Sequence, residues 1–183
     1  MEPLASQNEY QGNPVGLDQA TAEKMGRALD RHLSSFMVLY QQYHKHHWLV
    51  EGPQFRDLHL FFEEHYNAIH EQFDQIAERL TVLGVIPTVH PRNVMELSYI
   101  DHEPEGLYSV RDMLQNDLEA EKKIAMELRA TFKEAIELGD IATSYLTQEL
   151  TYKTEDRAQH VLHFLEADTL EEELTVAKKE ETK

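Results

Sequence analysis

No cysteine occurs among the 183 residues. That excludes a disulfide framework and any thiolate metal site. Apolar runs are only a few residues long, far short of the roughly 20 needed for a membrane-spanning helix. The first 23 residues contain no Lys or Arg and lack the basic start and apolar core of a signal peptide. A cytoplasmic protein is therefore expected. Basic residues are scarce throughout: 17 Lys and Arg face 34 Asp and Glu, for a net charge of −17. Such a surface repels nucleic acid and anionic membranes unless its cations are segregated, and here they are not. DNA binding is accordingly not expected. Glycine and proline are also few, at seven and six. Most lie near the N-terminus or between helical stretches, where they act as punctuation.

What is abundant is helical periodicity. Residues 1–16 show none and hold Pro3, Gly12, Pro14 and Gly16, which predicts a disordered arm. Asp18 or Thr21 then opens a helix. Its stripe of Met25, Leu29, Leu33, Phe36, Tyr40 and Tyr43 steps by three and four. Gly52-Pro53 ends it. A second helix from about residue 55 carries Leu58, Phe62, Tyr66, Ile69, Phe73, Ile76, Leu80 and Leu83, with Gly84 suited to follow its end. Residues 84–106 form a long connection in which Asn93 to Tyr99 predicts a short helix. A third long helix runs from about Leu107 to Leu138 and stops at Gly139. The fourth begins at Asp140 or Ile141 and ends near Ala167. The domain reading is thus an arm (1–16), a helical bundle (17–168) and a charged tail (169–183). Four long helices with one long middle crossover give an all-α, ferritin-like four-helix bundle.

Five residues with metal-ligand chemistry sit on the first two helices. They are His47, His59, Glu63, Asp74 and Glu78. His59 and Glu63 are spaced i,i+4, as are Asp74 and Glu78, so each pair shares a helix face. Asp74 is fifteen residues beyond His59, roughly 22 Å along a helix. One metal centre cannot span that distance within one helix. A turn centred near residue 53 places His47 opposite His59. One chain would then supply His47, His59 and Glu63, and a partner related by a two-fold axis would supply Asp74 and Glu78. Mixed imidazole and carboxylate ligands with open positions suit iron(II).

The segment HHWLVEGPQFRDLHLFFEEHYNAIHEQFDQIAERLTVLG closely resembles the Dps-like mini-ferritins, over about residues 20–167. The resemblance rests on a His-Trp pair, a Gly-Pro turn, a His twelve residues after the first, and Asp-x-x-x-Glu followed by Arg. It implies a hollow dodecamer with ferroxidase centres between subunits, built from those five residues. It implies iron(II) oxidised by hydrogen peroxide or oxygen, and ferric mineral stored inside. The family more often has Asp where Glu63 stands. The resemblance also suggests that Trp48 intercepts electrons or radicals near iron, against simple packing at an interface. It suggests that Glu134, Glu137 and Asp140 line a pore through which iron enters, against ordinary helix-end charge. Of the other histidines, His44, one turn before His47 on nearly the same side, reads first as a residue that binds nothing, with an extra metal contact as the lesser reading. His65 and His70 would face water or a partner, and His160 and His163 would be packing or surface residues, with a secondary zinc or iron site as the other reading. Glu64 and Glu71 read as an inner wall or a solvated face. Two alternatives stay open: a DNA-condensing protein of the same fold, and a shell holding zinc with little oxidation. A larger ferritin would show Glu-x-x-His on two helices, and no Glu here has a His three positions later.

Overall fold

The computed structural model describes residues 2–7 and 9–166; the expected charged tail lies outside them. Among the described residues five helices follow in order: α1 (Gln19–Leu49), α2 (Phe55–Val82), α3 (Pro91–Leu97), α4 (Val110–Glu137) and α5 (Ile141–Leu165). No strand occurs among the described residues. The helices pack as two hairpins, α1 on α2 and α4 on α5, with α3 against α1. This is the all-α bundle that the periodicity implies. No described helix is long and apolar enough to cross a membrane.

Local chemistry explains the helix ends. The Asp18 carboxylate accepts from Thr21 N–H at 3.0 Å and caps α1. Ser109 caps α4 through Asp112 N–H, so that helix starts three residues later than Leu107. Pro91, whose fixed φ suits a first helical position, starts α3 two residues before Asn93. After α2, Gly84 adopts φ +75°, the left-handed conformation that ends helices.

Gly84 also explains a correction to the N-terminal reading. Residues 1–16 were expected to be disordered, yet the described part of this arm docks on the bundle. Gln11 N–H donates to Gly84 O at 2.9 Å, and the Gln7 amide donates to Ile86 O at 2.6 Å. Tyr10 packs against the core, and its hydroxyl accepts from Asn13 at 2.6 Å. A Cβ on Gly84 would lie 2.1 Å from Gly12 O. Isolated anchors and backbone contacts hold the arm, and such contacts leave no periodic signal.

Apolar side chains from all four long helices fill the core, among them Met25, Phe36, Phe62, Ile76, Ile124, Leu128, Leu150 and Val161. Its middle is polar. Arg157 of α5 forks onto Glu121 of α4, with contacts of 2.7 and 3.0 Å, and its third nitrogen donates to Gln72 at 2.7 Å. Tyr43 OH donates to Glu121 at 3.1 Å. One turn away, Asp117 accepts from Gln42 and His46, both at 2.8 Å. His46 Nε2 faces Glu103 Oε1 at 3.1 Å, near enough for an ion pair but poorly angled for a hydrogen bond. Glu103 also meets Lys45 at 2.7 Å, so the crossover is strapped to α1. Burial lowers the His46 pKa, but Asp117 and Glu103 outweigh it and the net shift is upward.

His32 is the opposite case. It is buried between Tyr99 OH at 2.7 Å and Thr131 Oγ1 at 2.8 Å. Burial, assisted by Arg31, pulls its pKa down to about 3. The folded protein therefore keeps His32 neutral while the unfolded chain protonates it near its ordinary value of about 6.5. The stability it contributes is complete above that value and is lost as pH falls towards 3. Replacing it with glutamine, which retains a donor and an acceptor, should flatten this limb. We expect His32→Gln to lose less stability than the wild type between pH 7 and 4, measured by denaturant unfolding at fixed protein concentration. An unchanged slope would contradict this.

Candidate metal centre

The hairpin between α1 and α2 brings two of the five expected ligands together. Gly52 takes φ +104°, a conformation that costs a side-chain-bearing residue steric strain. The chain reverses there, and Phe55 N–H donates to Gly52 O at 3.0 Å. His47 and His59 then stack with ring centroids 3.7 Å apart and planes 20° from parallel. Their hydrogen bonds are reciprocal. His47 Nδ1–H donates to His59 O, and His59 Nδ1–H donates to His47 O, both at 2.9 Å.

A carbonyl only accepts, so each Nδ1 must carry the proton. In the neutral ring Nε2 then keeps its lone pair. This is the arrangement by which metal-bound imidazoles are commonly oriented, the second nitrogen being held by a backbone carbonyl. Both residues are half-buried, as is Glu63 one turn beyond His59. Asp74 and Glu78 are exposed on the same helix, Asp74 roughly 22 Å along it from His59 and Glu78 one turn further. No three His, Asp or Glu side chains converge as a metal-binding group within one chain, among the described residues.

Aromatic rings surround the histidine pair. Tyr66 meets His47 edge-on at 5.3 Å, and His44 lies 4.4 Å from Tyr66 and 4.3 Å from Trp48, centroid to centroid. Burial, then Glu63, raises the Tyr66 pKa. Burial, then His47, lowers that of His44. The periodic stripe assigned Tyr66 to packing alone and missed this position beside His47. Trp48 is 64% exposed, and Phe55 and Leu60 nearby are 46% and 51% exposed.

Among the other histidines and acids, His65 and Asp140 depart from expectation. His65, expected to face water or a partner, is buried in the bundle. It follows Phe62 by three and precedes Ile69 by four, so it shares their inward face. His70 is exposed and its ring lies near Tyr40 and Phe73. His160, His163, Glu64 and Glu71 are exposed. Of the three acids assigned to a pore, Asp140 is 2% exposed and already engaged. It caps α5 through Thr143 N–H at 3.0 Å and accepts from Arg79 at 2.7 Å. An open funnel carboxylate is thus not what Asp140 presents, because a buried cap and ion pair take both its oxygens. Glu134 pairs with Lys24 at 2.7 Å, and Glu137 is exposed.

Five helices, the middle crossover and a histidine-bearing hairpin define a ferritin-like bundle protein, and comparison with known proteins agrees. The family of the ferritin-like domain matches residues 26–170. The nutrient stress-induced DNA-binding protein of Synechococcus sp. is 40% identical over 167 residues, which cover 91% of this chain and 95% of that one. The crystal structure of an archaeal Dps homologue from Halobacterium salinarum superposes with a TM-score of 0.89 at 37% identity, over 93% of this chain and 95% of that one. A Vibrio cholerae Dps protein gives a TM-score of 0.81 at 25% identity, over 86% and 99%. It is described as a member of a broad superfamily of ferritin-like diiron-carboxylate proteins. The chain belongs to the ferritin-like family, and within it to the Dps-like mini-ferritins.

Proposed function

We propose that this protein is a cytoplasmic iron-storing and iron-detoxifying ferroxidase whose centres lie between two chains. His47, His59 and Glu63 of one chain and Asp74 and Glu78 of another hold the iron(II) substrate. The observation that carries this is the reciprocal Nδ1–H bonding of His47 and His59. It fixes two rings with Nε2 available before any ion arrives, so little ordering cost remains at binding. The exposed Trp48, Phe55 and Leu60 beside the pair support coverage by a second chain, since clustered apolar side chains seldom stay in water. A closed shell of twelve chains is the assembly we propose. The diiron-carboxylate kinship of the Vibrio cholerae protein supports iron as the substrate, with zinc as a competing ion.

Within such a centre the carboxylates offset cationic charge as it rises on oxidation. Two iron(II) ions give one electron each. Hydrogen peroxide, the preferred oxidant, accepts both, its O–O bond breaks, and two protons complete two waters. No hydroxyl radical leaves this two-electron route. Trp48 and Tyr66 are the nearby side chains able to intercept a stray electron vacancy. Stopped-flow oxidation of iron(II), run separately with peroxide and with oxygen, tests the reading. Faster turnover with peroxide is expected. Oxidation no faster than in buffer would refute it.

A second reading, DNA condensation, is favoured by the description of the Synechococcus relative as DNA-binding. The net charge of −17 and the Lys-free arm argue against it, because phosphate contacts supply most non-specific affinity. We expect no retardation of duplex DNA at micromolar protein in about 0.15 M salt. A shift abolished by deleting residues 171–183 would promote the second reading.

A further inference from the structure

We infer that His65 and His160 form a second metal site, separate from the interface centre, that takes a zinc-type divalent ion with water completing the coordination. His65 is 4% exposed and its Nε2 is buried with no hydrogen-bond partner. Buried polar atoms are seldom left so. Its Nδ1–H donates to Phe61 O at 2.8 Å, and a carbonyl can only accept. Nε2 of the neutral ring is therefore an unused lone pair, oriented in the manner of a metal-binding imidazole.

The ring of His160, on α5, has its centroid 6.0 Å from that of His65 with planes at 65°. Two imidazoles bound to one zinc at ~2.0–2.1 Å have centroids roughly 5–6 Å apart. His160 is half-exposed, so it can turn, and water has access from its side. Asp156 is one turn before His160 on the same face, its carboxylate 4.0 Å from His160 Nε2. A His on α5 facing a fixed His on α2 supplies two of the imidazole donors that borderline divalent ions accept, and the Asp156 carboxylate adds negative charge beside them. Glu63, two residues from His65, lies on the opposite side of α2 and belongs to the interface face.

Two neighbours bear on the ion. The Arg157 guanidinium acts on the His65 ring through its charge. The same guanidinium would repel a cation, but Glu121 neutralises it through contacts of 2.7 and 3.0 Å. The interface centre uses none of these residues, so the two sites fill independently.

The test adds zinc chloride alone to the assembled full-length protein. Loosely held metal is removed by gel filtration. Zinc per chain is then measured, and crystals of the same sample are recorded on both sides of the zinc absorption edge. An anomalous peak is expected at ~2.0–2.1 Å from His65 Nε2 and from a ring nitrogen of His160. His160→Ala should remove that peak and one zinc per chain while oxidising iron(II) at the wild-type rate. His65→Gln should do the same; if it fails to assemble, the half-exposed His160 position still decides the matter. No peak between the rings, or an unchanged zinc content in His160→Ala, overturns the inference. Loss of iron oxidation in the wild type would sink the ferroxidase reading and leave this one standing.

Discussion

His59→Ala and Asp74→Ala should each slow iron(II) oxidation by at least roughly tenfold to a hundredfold, the loss seen when even an outer-shell partner of a metal is removed. The shell should stay assembled in both. His59 is half-buried on a hairpin, and Asp74 is exposed, so neither change opens a core cavity. Mixing the two variants gives the decisive measurement. In a two-fold interface each centre joins the histidine half of one chain to the acidic half of the other. A mixed pair then contains one doubly broken centre and one intact centre. Random co-assembly at equal amounts should restore about a quarter of the centres, since about half the interfaces are mixed. Two variants that are each inactive should thus become active together. No recovery, with mixing verified by mass spectrometry, would show that the centre lies within one chain.

The elements of this fold and site differ in how visible they are from sequence. Helices α1, α2, α4 and α5 were legible because their apolar stripes repeat at the helical period and Asp18, Gly84 and Asp140 mark their ends. The proposed sharing of ligands between two chains rests on a distance, because fifteen helical residues cannot fold back on themselves. The reciprocal hydrogen bonding of His47 and His59 was not, since it depends on the register of two helices across the Gly52 turn. The polar centre is hard to see in the sequence because most charged helix positions face water. Spacing did carry a warning. Asp117 follows Leu114 by three, Glu121 precedes Ile124 by three, and Arg157 precedes Val161 by four, so all three lie on inward faces. The same test flags His46, three after Tyr43, and His65, between Phe62 and Ile69. A charged or imidazole residue on an apolar stripe is therefore better read as half of a buried pair whose partner lies on another helix.

That pairing makes Arg157 the position where one substitution should cost most stability. Arg157→Leu removes the guanidinium and leaves Glu121, which is wholly buried, without its cation. Leaving one member of a buried pair uncompensated costs about 3–5 kcal/mol. Gln72 loses its partner as well, while Tyr43 OH alone still serves Glu121. Removing both charges is a different perturbation. In Arg157→Leu combined with Glu121→Leu no buried ion remains, and such replacements are often neutral or even stabilising, by about 1–4 kcal/mol. The unpaired Tyr43 hydroxyl and Gln72 amide offset part of that gain, at roughly 1–3 kcal/mol for each group left unsatisfied. The double variant should therefore be clearly more stable than Arg157→Leu alone. Thermal and denaturant unfolding at one fixed protein concentration measure this, because assembly makes apparent stability concentration-dependent. If Arg157→Leu costs less than about 1 kcal/mol, the value typical of an exposed ion pair, then Arg157 and Glu121 are not the buried, mutually dependent pair that their geometry describes.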